Sequence, residues 1–395
     1  MITFDEATAL VAGFALPLGT ESVSLADARG LVLAADVLAG RASPSSCVSA
    51  MDGYAVREAD LASLPVSLPV VGESFAGAGF DGELPVGGCL RIFTGAPLPQ
   101  GADRVIIQEE VKRSNDQALF GHPLGARRHL RIAGSDFQAG DLLVPAGHRL
   151  NAQRLIAAAA ANLGALDVFR RPRVAILATG DELAAPGSPD LRPDAIPESV
   201  SFGVAALVED WGGIVVTRRR CGDELANLRA TAAAAVTEAD VVVVTGGASV
   251  GERDFAREMF VPLGLELLFS KVAIKPGKPV WMGRAGGAIV VGLPGNPTSA
   301  LVTARLFLAP LLAGLSGRNP GEALAWRRMR LAGSMAHEGD RETFHRAWMD
   351  GQGVVPADDQ DSSAQLALAA STLLVRRRPG ERPAAVGEMV ETLEL

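Results

Sequence analysis

The sequence predicts a multidomain protein of mixed α/β and β class, built around a central α/β domain with a mostly parallel sheet. Three observations point there. The chain has 395 residues, too many for one ordinary core, so two to four domains are expected. From Glu21 to about Gly147, short β-branched runs such as VSLPVV, LRIFTG and RVIIQEEV alternate with Gly, Pro and Asp turns, the texture of a β-rich domain. From about Pro172 to Leu315 a strand–loop–helix unit repeats. Its Val/Ile runs are near-continuous rather than alternating, as in strands covered on both faces.

In chain order, residues 3 to 14 read as a short amphipathic helix with Phe4, Ala7, Leu10 and Val11 on one face. After the β-rich region, Asn151 to Leu166 is Ala-rich and reads as a helix that packs back on the N-terminal one. VAILA is then a strand leading into TGDEL, and Ser199 to Trp211 a helix stopped by Gly212-Gly213. GIVVTRRR is a strand, Glu224 to Glu238 a helix, and VVVVT a strand running into GGASVGERD. AIVVGL leads into PGNP and a further helix. Beyond Asn319 short strands return, with ETFHRAWM, STLLVRRR and MVETLEL the clearest, as in a small β-barrel or sandwich.

Composition excludes several classes. Apolar residues make up 48% and charged residues 21%, which describes a globular chain, and the formal charge of −8 argues against a general nucleic-acid binder. Cys47, Cys89 and Cys221 are far apart, and none of the five histidines has zinc-site spacing. The stretch Leu155 to Phe169 is too short and too interrupted to span a bilayer, and MITFDEATAL lacks signal-peptide layout, so a cytoplasmic protein with no membrane partner is expected.

In an open parallel sheet, ligands bind beyond the carboxyl ends of the strands. Three such loops carry unusual chemistry. Thr179-Gly180-Asp181-Glu182 sets a hydroxyl and two carboxylates after a buried strand. Gly246-Gly247-Ala248-Ser249-Val250-Gly251 is a glycine turn whose amides can cradle an anion, with Asp254 following at a helix start. Pro294-Gly295-Asn296-Pro297 is a helix entry with Asn296 as N-cap and Pro297 at the first helical position. Of only four lysines, Lys271, Lys275 and Lys278 cluster between the second and third loops. A compact ammonium suits phosphate as a point charge. Each loop alone is more often just a turn, and Asp223 and Asp254 could be ordinary first-turn acids. Together they suit a phosphorylated ligand with a divalent metal such as magnesium. From residue types alone, this is a metal-assisted enzyme acting on an anionic ligand.

The motifs SAMDGYAV, RIFTGAPLPQGADRVI, LATGDEL, GGASVGERDF, KVAIKPGKP and GLPGNPTSA stand in the order and rough spacing of the MoeA family, the bacterial molybdopterin molybdenumtransferases. The chain thus resembles that family from about residue 3 onward, and also the E domain of gephyrin and of its plant counterpart. The resemblance implies a homodimer with four domains per subunit. These are a discontinuous helical segment (1–26 and 148–169), a β-rich N-terminal domain (27–147), an α/β molybdopterin-binding domain (170–316) and a C-terminal β-barrel (317–395). It implies a reaction in which adenylylated molybdopterin and molybdate give molybdenum cofactor and AMP with Mg2+. It also implies transient contact with a molybdopterin adenylyltransferase and with molybdoenzyme chaperones.

By the same resemblance, Asp52, Thr94 and Asp136 line the partner side of a cleft shared across the dimer. Glu182, Asp223 and Asp254 are the acids at the sheet edge and the magnesium ligands. Lys271, Lys275 and Lys278 hold phosphate and molybdate. Thr179, Gly180, Gly246, Gly247, Ser249, Gly251, Pro294, Gly295, Asn296 and Pro297 shape the phosphate loops. The chain departs from the family pattern at Cys47, Ser135 and Val200. A stand-alone adenylyltransferase would lack the MDGYAV region, and no long linker supports a scaffold role.

Overall fold

A computed structural model describes residues 1–188, 192–246 and 255–395. Its centre is a six-stranded sheet. Ile214–Cys221, Arg173–Thr179, Val241–Thr245 and Ala288–Leu293 are neighbours and parallel; Trp281–Ala285 and Glu266–Phe269 continue it antiparallel. The unbroken apolar runs have the expected cause, because alternate residues face opposite layers. Val174, Ile176, Val241, Val243 and Val291 join one core with Val204, Val208 and Leu312. Ala175, Leu177, Val242 and Val244 join the other with Leu228, Ala232 and Ala235. The helices Val200–Asp210 and Leu225–Glu238 therefore cover opposite faces.

The helical run Pro297–Leu315 is long and apolar enough to cross a membrane, yet 94% of it is buried inside the fold, where it forms the middle of the first core. This stretch, rather than 155–169, is the most membrane-like segment among the described residues. Composition reflects the burial of a central helix.

The N-terminal helix spans Phe4–Phe14 and is capped by Thr3, with Glu6 completing a capping box, a device worth about 1 kcal/mol. Phe4, Ala7 and Val11 are buried, whereas Leu10, expected on the same face, is 40% exposed. The helix does not pack on residues 151–166. Phe4 makes edge contacts with Phe307, Trp326 and Phe344, which come from the buried central helix and the C-terminal region. Arg376 ties Asp5 to Glu342 on the same side.

The second helix covers only Ala152–Ala160, and Ala165–Phe169 is a strand paired antiparallel with Thr20–Ser24. Ala158 and Ala161 pack with Leu33, Val37, Val144 and Leu150 in a cluster separate from the first core.

The β-rich region forms a six-stranded sheet in the order Arg104–Ile107, Gly53–Val56, Cys89–Ile92, Val66–Ser74, Gln117–Phe120, Val111–Ser114. After residue 316, Glu342–Met349, Leu373–Arg377, Met389–Glu394 and Arg327–Arg330 are successive neighbours, and Val354–Pro356 pairs with the far end of Glu342–Met349. A bridge between Leu331 and Val354 brings its two sides together. The short strand Ile274–Lys275, from the lysine segment, extends this sheet by pairing with Glu342–Thr343.

Candidate functional site

The strand Arg173–Thr179 ends at a buried Thr179, whose hydroxyl donates to the carbonyl of Thr245 on the next strand (3.3 Å). The chain then turns at Gly180, with φ +148, a conformation that glycine alone adopts freely. A Cβ there would sit 2.6 Å from the Glu182 carboxylate oxygens, so the side chain of Glu182 folds back over this turn. Gly246, at φ +94, is held to the same standard: a Cβ would lie 2.4 Å from the Thr179 carbonyl. Gly295 comes up beside Gly246, its own would-be Cβ 3.5 Å from the Gly246 Cα. The first, second and third loops are thus in contact at the carboxyl ends of three neighbouring parallel strands.

Around them lies a cavity of about 270 Å³, bounded by Thr179, Glu182, Gly246, Gly295, Asn296 and Pro297 from the expected loops. Two further walls come from segments that the sequence reading did not assign to the site. One is the segment Ile196–Val200, laced to the first loop by Ile196 N–H to the Glu182 carbonyl (2.8 Å) and Glu198 N–H to the Ala184 carbonyl (2.9 Å). Buried Glu198 accepts from Ser201 N–H (2.7 Å) and its hydroxyl (2.5 Å), fixing the entry of the next helix. The other wall is Ser363 and Gln365, from beyond residue 316.

That second wall depends on Arg346. The side chain is 1% exposed and donates to the carbonyls of Asp359 (2.8 Å), Asp361 (2.8 Å) and Ala364 (2.9 Å) and to the Thr298 hydroxyl (3.3 Å). It therefore templates the loop 359–364 against the start of the central helix. Asn296 occupies the N-cap position, but its side chain makes no cap bond; its amide donates to the Ser362 hydroxyl (2.8 Å). The expected capping role is corrected: a partner 66 residues away takes the side chain, and the first-turn Thr298 N–H donates to the Ser362 carbonyl instead. The available signal for this wall was an arginine inside the apolar strand ETFHRAWM, since a buried charge demands partners.

Asp223 follows the edge strand, and its N–H donates to the Asp181 carboxylate (3.0 Å), so this acid stands beside the first loop. Asp254, Gly247, Ser249 and Gly251 lie outside the described residues. Among the described residues no cluster of three metal-ligating side chains occurs.

The lysines sit on a loop that closes on itself, Val272 N–H donating to the Lys278 carbonyl (3.1 Å), while the Lys271 carbonyl accepts from Ile2 N–H (3.2 Å). Gly277 of this loop packs on Thr303, so the loop rests against the helix that starts at Pro297. Lys275 and Lys278 are exposed. None of the three lysines lines the cavity itself. Lys275 lies near His345, whose ring is held below its ordinary pKa by burial first, with Arg377 and Lys275 adding to the effect.

Asp52 and Thr94 form a second centre in the β-rich region. The Asp52 carboxylate accepts from Thr94 N–H (2.7 Å) and from its hydroxyl (2.8 Å). These bonds, the backbone one first, hold its pKa below the usual carboxylate range. The contact is therefore present above the ordinary carboxylate pKa and is lost as pH falls through the lower folded value. Thr94→Ala should raise the Asp52 pKa only part of the way, because the amide bond remains. A carbon-13 NMR titration of the carboxyl reads this directly, and an ordinary pKa in the unsubstituted protein would refute the contact. Asp136 is exposed, its N–H donating to the Ser43 carbonyl (3.0 Å) at the other end of the segment that leads to Asp52. No residue from 27–147 lines the α/β cavity.

Burial raises the pKa of all three cysteine thiols, that of Cys89 to about 12. None is poised as a thiolate ligand or nucleophile.

Residues 2–162 match the MoeA N-terminal region (domain I and II), and residues 175–314 match a probable molybdopterin binding domain. A molybdopterin molybdenumtransferase of Haemophilus influenzae is 37% identical over 320 residues, covering 80% of this chain and 78% of that protein. One from Synechococcus elongatus is 33% identical over 391 residues, 96% of each chain. The crystal structure of a molybdopterin biosynthesis MoeA protein from Pyrococcus horikoshii superposes with a TM-score of 0.86 at 31% identity, over 100% of this chain and 99% of that one.

Proposed function

The chain belongs to the MoeA family of molybdopterin molybdenumtransferases, and from that premise we propose how its site works. It is a transferase of molybdenum cofactor biosynthesis. Its substrates are adenylylated molybdopterin and molybdate, and its products are molybdenum cofactor and AMP. The observation that carries this reading is the cavity itself, where three loops of a parallel sheet converge beside the Glu182 carboxylate.

Glu182 and Asp223 suit a magnesium ion, because Mg2+ is satisfied by one or two carboxylates when substrate phosphate and water supply its other ligands. Asp254 is proposed as a further ligand. The bound ion would neutralise the adenylate phosphate. The chain's own residues do the positioning: amides of the Gly246 and Pro294–Pro297 loops orient the phosphates, and Lys271, Lys275 and Lys278 stabilise charge that builds there. With every cysteine thiol protonated, the dithiolene sulfurs of the pterin take the molybdenum.

The two centres, Asp52–Thr94–Asp136 and the α/β cavity, belong to one cleft when two subunits face each other as a homodimer. The same assignment carries the four-part layout with a C-terminal barrel, a cytoplasmic location, and passing contacts with an adenylyltransferase upstream and molybdoenzyme chaperones downstream.

Purified protein should release AMP from adenylylated molybdopterin only when molybdate is added. Release without molybdate, or none with it, sinks the reading. In the same assay, inactive Asp52→Ala mixed with inactive Glu182→Ala should regain activity, since one cleft of each heterodimer keeps both residues. Silence after proven subunit exchange means that each cleft is built from a single chain.

A further inference from the structure

The α/β cavity is lined by polar and aliphatic residues and, among the described residues, by no aromatic side chain. The substrate in the reading above carries two nitrogen heterocycles that each present a flat aromatic ring, a purine and the pyrimidine part of a pterin. Such rings gain most when they leave water for another π face. One face of that kind stands open beside Asp52.

Phe75 and Phe93 stack with centroids 4.6 Å apart and planes 11° from parallel. Arg91, two residues before Phe93, brings its guanidinium carbon 4.6 Å from the Phe93 centroid and 5.3 Å from that of Tyr54. The guanidinium is fixed by donation to the Gly53 carbonyl (2.9 Å) and the Gln108 side-chain oxygen (2.6 Å). The turn that carries Phe75 is closed by reciprocal bonds between Phe75 and Ala78 (2.9 and 3.1 Å) and joined to the next strand by Phe93 N–H to the Ser74 carbonyl (3.2 Å). A Cβ on Gly95 would lie 3.7 Å from Ala76, so this turn abuts the loop that holds Thr94 against Asp52. Phe75 is nevertheless 44% exposed. A lone exposed phenylalanine means little. This one is backed by a parallel ring and a pinned guanidinium, at the edge of a proposed substrate cleft.

We propose that Phe75, Phe93 and Arg91 form a preorganised platform on which a planar nitrogen heterocycle of the substrate stacks. The platform rests on the functional reading above and adds to it the place where a ring of the substrate is held. Because a π face accepts either ring, the shared chemistry is stacking, and the probes decide between purine and pterin.

The experiment is a calorimetric titration of the whole protein with AMP, with ribose 5-phosphate and with a simple free pterin. Phe75→Ala should weaken AMP or pterin binding roughly fivefold or more, the scale of one lost base–aromatic stack, and leave ribose 5-phosphate unchanged. Phe75→Leu, which keeps apolar bulk without the π face, should lose as much, whereas Phe75→Trp should restore affinity. A loss confined to AMP assigns the purine to the platform, and one confined to the pterin assigns the pterin. Unchanged affinities for both rings, or an equal loss for ribose 5-phosphate, overturn the platform; molybdate-dependent AMP release by the unsubstituted protein then leaves the functional reading standing. A protein without that release fails the functional reading, and the platform falls with it.

Discussion

Lys275→Ala should reduce molybdate-dependent AMP release at least roughly tenfold, the loss of about 1.4 kcal/mol of transition-state stabilisation, while the melting temperature stays nearly unchanged. The ammonium group is exposed on a two-residue strand and forms no ion pair or hydrogen bond with the described residues, so its removal takes away little that holds the fold. Only the backbone of this segment is structural, through pairing with Glu342–Thr343, and alanine preserves that pairing. Lys275→Arg should also be impaired, because a broad planar fork cannot replace a compact charge. Single-turnover AMP release beside a thermal melt separates the outcomes. Full activity in the arginine variant would mean that this loop is merely solvated.

Arg346→Ala should damage both stability and activity, for a reason opposite to that at Lys275. Here the charge is buried and its two terminal nitrogens donate to three carbonyls and a hydroxyl. Burial lowers its pKa, while Asp359 and Asp361 act the other way. Removing it strands those acceptors, at a cost of roughly 3–5 kcal/mol as for other buried charged networks. The loop 359–364 then loses its template, and with it the wall formed by Ser363 and Gln365. The expected result is a clearly lower melting temperature, with AMP release reduced at least about tenfold even at temperatures where the variant stays folded. Lysine at this position should rescue little, since one ammonium cannot reach acceptors spread along several directions. A variant melting within a degree of the parent would refute the role given to Arg346.

Much of the α/β region was readable from residue order alone. Val241–Thr245 and Arg173–Thr179 announce strands covered on both faces because each lacks any polar alternation, and the described structure buries both sides. Gly180 and Gly246 announce tight turns after those strands, and each turns at positive φ, Gly246 against a Thr179 carbonyl that would exclude a Cβ. Thr3 and Glu6 announce a capped helix start. All these signals act over a few residues, within the reach of propensity, capping and periodicity.

The sequence by itself thus determined the order and type of most elements, the three loops at the strand ends and the family. Tertiary structure alone decided which distant segments complete the site. Asn296 has the residue type and position of an N-cap, yet Ser362 claims its amide. The N-terminal helix, amphipathic on its own, docks on Phe307 and Phe344 rather than on the helix nearer in sequence, and Asp5 is tied to Arg376 across 371 residues. Arg346 reads as an irregularity in an apolar strand until the loop 359–364 folds around it. Local composition could not choose among these partners because each contact depends on where chain closure brings the other strand. That register is set by the burial of whole cores, to which no single short segment holds the key.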